Sequence, residues 1–151
     1  MSFIHESLYQ TRDFSHIEFS DYMLSLTNNL IHSYSLQTAN ISLRKDMDKV
    51  FLELDQAIPC GLIANEIVSN ALKYAFPEDT QGEIFISIKE KGKTIELIIA
   101  DNGVGLPKEL DYKNSESLGL QLVYTLAEQL NAAISVTIDK GTKYLITFDK
   151  Q

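Results

Sequence analysis

The chain has 151 residues, 44% hydrophobic and 23% charged, a balance that suits one globular domain with a real core. Its formal net charge of −8 argues against a nucleic-acid partner, since neutralising phosphates takes Lys and Arg patches. Cys60 is the sole cysteine, which excludes a disulfide framework and zinc-ligand spacing, and its apolar surroundings read as core. The uncharged run 56–65 is far too short to span a bilayer and no basic-then-apolar leader opens the chain, so a reducing, cytoplasmic setting is expected.

Residues 1–10 place Phe3, Ile4 and Leu8 at helical spacing, and residues 11–19 read as a connector. Ser20-Asp21 opens a helix whose apolar stripe is Tyr22, Met23, Leu26, Leu30, Ile31 and Tyr34. Alternation at Ile41-Ser-Leu43-Arg predicts a strand, and residues 50–54 a second, shorter one. Asp55 is then expected to cap a long helix, with Pro59 in its first turn, that ends near Phe76, before Pro77. Two strands around Ile84–Ile88 and Ile95–Ile99 turn at Lys91-Gly92-Lys93. Residues 101–116 form a polar, glycine-bearing loop, 117–130 a third helix, and 133–139 with 144–148 a closing hairpin through Lys140-Gly141. Helices followed by hairpins predict an α+β fold, a two-layer α/β sandwich, and not alternating βαβ units.

Three segments carry chemistry. In the long helix, with Glu66 set at zero, Asn70 falls at about +40° and Lys73 at about −20°. They share one stripe, opposite an apolar arc of Ile63, Ala64, Ile67, Val68, Ala71, Leu72 and Ala75. A plain solvent face would also give such a stripe. Against that, a neutral amide adds little solubility but is a hard-oxygen ligand suited to Mg²⁺ beside phosphates. With a nucleotide present, Glu66 could orient or deprotonate an acceptor and Lys73 could pair with a phosphate oxygen. Next, Asp101-Asn102-Gly103-Val104-Gly105 follows an apolar strand end, where a carboxylate can accept from an adenine amino group and glycines permit close approach. Alone it would read as an Asx turn. It is neither a Rossmann fingerprint nor a P-loop. Last, Ser117-Leu118-Gly119-Leu120 opens a helix whose exposed N–H groups suit a phosphate, while Ser117 doubles as an ordinary N-cap.

In order and spacing these segments resemble the boxes of the GHKL (Bergerat-fold) ATPase superfamily: Glu66 to Tyr74 the N box, Asp101 to Gly105 the G1 box, Ser117 to Leu120 the G2 box. Gly141-Thr142 resembles the late Gly-Thr that closes the adenine pocket. Ala57-Ile-Pro59-Cys-Gly61-Leu-Ile-Ala-Asn65-Glu66, Asn-Ala-Leu-Lys73-Tyr74-Ala-Phe76-Pro77, the short lid at 106–116 and the leader His5-Glu6-Ser-Leu8-Tyr9 are similar to histidine kinases of the HWE and second-HisKA subgroups. The resemblance implies a mixed, mostly antiparallel sheet packed on about three helices. It also implies a division into residues 1–19, a remnant of a dimerisation-region helix and connector, and 20–151, the catalytic domain.

The implied cofactors are ATP and Mg²⁺, with Asp101 on the adenine, Thr142 supporting it through water, and Asn70 on the metal. Glu66 and Lys73 would act catalytically at the γ-phosphate. Tyr74, Gly103, Gly105, Leu118, Gly119 and Leu120 would complete the ATP site. The family's phosphoacceptor His box is absent; His5, His16 and His32 lack its pattern. The implied partners are therefore a phosphoacceptor helix outside these residues and a response regulator downstream, the parent being a homodimer and this piece a monomer. An anti-sigma-type protein serine kinase shares the boxes, but the leader argues against it. A decayed binding module would have lost a box, and none is lost.

Overall fold

The protein's structure, a computed structural model, describes residues 16–33, 41–76, 81–104, 120–138 and 140–150. In chain order the elements are β1 (His16–Glu18), α1 (Phe19–Ser33), β2 (Ile41–Met47), β3 (Phe51–Glu53), α2 (Leu54–Asn70), β4 (Gly82–Lys91), β5 (Thr94–Asp101), α3 (Leu120–Gln129), β6 (Ala133–Ile138) and β7 (Thr142–Asp149). A π-helical turn, Ala71–Ala75, continues α2.

The main sheet runs β2-β4-β5-β7-β6. Only its β2–β4 pair is parallel; β4–β5, β5–β7 and β6–β7 are antiparallel. Alternation in β4 and β5 aims Ile84, Ile86, Ile88, Ile95, Leu97 and Ile99 at the helices, and all six are buried. Ile63, Ala64, Ile67 and Val68 of α2 meet them from above, with Phe19, Met23 and Leu26 of α1 and Val123 and Leu126 of α3 on either side. Burying one such Ile or Leu side chain is worth about 1.5–3 kcal/mol, so this layer carries most of the stability. The α+β two-layer sandwich is as the sequence predicts.

Several local readings needed correction. The connector at 11–19 ends in a strand, β1, which pairs antiparallel with β3. Three residues are too few for a period-two signal to emerge. Asp55 does not cap α2. Glu53 holds the N-cap position without a side-chain hydrogen bond, and Asp55 sits inside the first turn, where its charge complements the helix dipole. Pro59 lies two residues deeper than expected, in the second turn; it deletes the bond to the carbonyl of Asp55, a residue exposed to solvent. The closing turn is at Lys140-Gly141 as read, both with positive φ (55° and 127°). The proposed leader helix at 1–10 and the lid at 106–116 lie outside the described residues.

Candidate active site

Asp101 is the last residue of β5 and pairs in register with Thr142, the first residue of β7. Its carboxylate is largely buried and accepts the Gly103 N–H at 2.9 Å; the Thr142 backbone N–H is its other donor. Burial pushes the carboxyl above the usual Asp range, and the two backbone donors pull against that rise. Asn102 fixes the turn to β4: it accepts the Glu83 N–H on Oδ1 at 2.7 Å and donates its own N–H to the Glu83 carbonyl at 3.2 Å.

Two glycines allow the backbone to close around this acid. A Cβ on Gly103 would lie 2.2 Å from the Ala75 carbonyl oxygen, and the next N–H, of Val104, donates to that oxygen at 2.8 Å. So the loop after β5 is tied to the end of the π-helical turn. Gly141, at φ +127°, would place a Cβ 2.0 Å from the Asp101 carbonyl oxygen. The β6–β7 turn therefore seats directly on Asp101.

The result is a narrow cleft of about 20 Å³ lined by Asn70, Tyr74, Asp101, Thr142 and Tyr144 over a floor of Ile67, Ala71 and Ala75. Four residues singled out in the sequence, Asn70 and Tyr74 from one helix with Asp101 and Thr142 from two distant strands, meet in it. Asn70 is 8% exposed and Tyr74 48%. A roomier hollow around Ser20, Lys45, Asp46 and Asp48 holds none of them. Its acids are met by Lys89, whose ammonium lies 2.6 Å from Asp46 and 3.8 Å from Asp48. Glu66 is half-buried on the same helix, and Lys73 is exposed; neither lines the cleft. Past Asn70 the helix continues as a π-helical turn, Ala71–Ala75, which carries Lys73. Leu120 opens α3, while Gly105, Leu118 and Gly119 lie outside the described residues. Tyr144 went unnoticed in the sequence; two residues after Thr142 in one strand, it shares that residue's face.

In chemistry, though not in open volume, an apolar floor with a buried acceptor and a carboxamide beside it suits a flat heteroaromatic base joined to a charged tail. Comparison with known proteins decides which. A profile of the Histidine kinase-, DNA gyrase B-, and HSP90-like ATPase family matches residues 55–151. The chain belongs to that family. A second profile, of the HisKA_2 histidine kinase family, matches residues 1–34. Blue-light-activated histidine kinase 2 of Erythrobacter litoralis (strain HTCC2594) is 29% identical over 110 residues, 72% of this chain and 32% of that protein. Sensor histidine kinase PdtaS of Mycobacterium tuberculosis is 34% identical over 76 residues, 50% of this chain and 15% of that protein. The chain thus spans less than a third of either length. Among solved structures, the histidine kinase domain of Erythrobacter litoralis EL346 superposes with a TM-score of 0.87 at 21% identity, covering 98% of this chain and 70% of that one. The histidine kinase AdeS of Acinetobacter baumannii gives 0.73 at 17% identity, covering 99% and 75%. At such identities these likenesses speak to the fold, and the fold agrees. The chain is an ATPase domain of the histidine-kinase type, and nothing in the comparisons supports the serine-kinase alternative.

Proposed function

We propose that the chain binds Mg-ATP in this cleft and transfers the γ-phosphoryl group to a histidine on another segment of its parent kinase. The supporting observation is the convergence of Asn70, Asp101 and Thr142 on one cleft sealed behind by Gly103 and Gly141. Asp101 accepts a hydrogen bond from the adenine amino group, and Thr142 supports the base through water. Asn70 supplies a neutral oxygen for magnesium, which would rest mainly on phosphate oxygens and water. When bound, the ion neutralises charge on the β- and γ-phosphates.

Glu66, one turn before Asn70, takes the proton from the acceptor imidazole. The imidazole nitrogen attacks the γ-phosphorus, the bond to the bridging β-phosphate oxygen breaks, and ADP leaves. Lys73, exposed just beyond, pairs with phosphate oxygens. Tyr74 and the segment around Gly105, Leu118, Gly119 and Leu120 complete the nucleotide contacts. A response regulator would then receive the phosphoryl group, and the parent would be a dimer. We keep residues 1–19 as the remnant of the dimerisation region and its connector. The connector's last residues are held by the catalytic core, since β1 pairs with β3 and Phe19 is fully buried.

Incubating the intact parent kinase with γ-labelled ATP tests the reading. A phosphohistidine is a phosphoramidate, so the label is expected to survive alkali and be lost in acid. An acid-stable label would overturn it.

A further inference from the structure

The helices cover one face of the main sheet, and a hollow of about 320 Å³ opens on the other. Its centre is a row that crosses the strands in register: Arg44 on β2, Phe85 on β4, Ala100 on β5 and Lys143 on β7. Ile98, on the same face of β5 as Ala100, extends the floor. Phe85, Ile98 and Ala100 are half-buried, so the floor is apolar yet reachable. A cation closes the row at each end. The Arg44 guanidinium lies over the Phe85 ring, 4.0 Å from its centroid. Glu83 engages it through Nε at 2.8 Å, which leaves its terminal amino groups to other acceptors. Lys143 is exposed. Lys89, Lys91, Lys93 and Lys150 each meet a carboxylate; among the described residues Lys143 meets none.

An Arg stacked on a Phe is by itself ordinary packing of a sheet surface. Here the pair borders a concavity within the range of about 300–1,000 Å³ usual for small-molecule sites, with a second cation across it. Glu83 offsets the charge of Arg44, which leaves that of Lys143 in excess, on a chain of net charge −8. Asp101 also borders the hollow, but alternation turns its carboxylate through the sheet toward the cleft. We infer that this hollow binds a small, flat aromatic anion with a single carboxylate or sulfonate group. The ring lies on Phe85, Ile98 and Ala100, and the acid group meets Lys143 and the terminal amino groups of Arg44. Three strand spacings, about 14 Å, separate the backbones of the two cations, and their long side chains lean in from either end. The site stands behind the nucleotide cleft, with the end of β5 between them, and it does not depend on the function proposed above.

Fluorescence titration of this chain with anilinonaphthalene sulfonate, an aromatic anion of this kind, is the test. One saturable site is expected. Lys143→Glu should weaken binding at least tenfold, and Lys143→Arg should hold it within about threefold of the wild type. Lys143 is exposed, so both variants are expected to melt at the wild-type temperature. Arg44→Gln, at the other end of the row, should weaken binding at least threefold on its own. Wild-type affinity in K143E or in R44Q would overturn the site. Displacement of the probe, one for one, by a non-hydrolysable ATP analogue would put it in the nucleotide cleft and overturn the site as well.

Discussion

Asp101 pays for its position. A carboxylate held above its ordinary pKa by burial is less favourable ionised in the folded chain than in the unfolded one. The sign is therefore opposite to that of an ion-paired Asp: the cost is present above the folded pKa and is relieved as pH falls below it. Asp101→Asn keeps one oxygen that can accept from the Gly103 N–H and removes the buried charge. Thermal melts at neutral pH are expected to show it at least as stable as the parent, and the difference should shrink on acidification. A melting temperature several degrees lower at neutral pH would contradict this. Cys60 offers a second check at this scale. It is fully buried and burial drives its thiol pKa strongly upward, so a thiol reagent should label it only after denaturation. Labelling of the native chain at a free-thiol rate would disprove that packing.

At the scale of elements, the site is a junction between the end of α2 and two turns. Gly103→Ala would force a methyl against the carbonyl and Cβ of Ala75, with no flexible side chain to yield. A loss of about 1–3 kcal/mol of stability is expected, with weaker nucleotide binding, measurable by denaturant titration and calorimetry. Unchanged values would mean that the loop does not need this contact. Asn70→Ala should weaken the magnesium dependence of nucleotide affinity while leaving the fold intact; a response to chelation equal to the wild type's would exclude Asn70 as the ligand. Much of this junction was legible in the sequence because α2 is long and strongly periodic, and its apolar arc is buried as the pattern implies. The π-helical turn that carries Lys73 was not legible, because it leaves no trace in a 3.6-residue period. Asp55 was read as a cap because its residue type suits one, whereas β3 runs straight into the helix and puts Glu53 there instead. Tyr144 was legible in principle from the strand period, but only once Thr142 was known to face the cleft.

Across the whole molecule, one sheet does the positioning. Asp101 and Thr142 are adjacent because β5 and β7 are neighbours in register, although 41 positions separate them in the chain. Strand order cannot be read from local pattern: neither β5 beside β7 nor the parallel β2–β4 pair was visible until the layers were assembled. The overall α+β sandwich was visible, because the order of helices and hairpins constrains it. The most direct measurement is calorimetric titration of this chain with a non-hydrolysable ATP analogue, with and without magnesium, beside Asp101→Asn. Saturable, magnesium-dependent binding is expected in the wild type. A loss of at least tenfold, about 1.4 kcal/mol, is expected in the variant. Equal affinity in the two chains, or no binding to the wild type, would contradict an adenine site at Asp101.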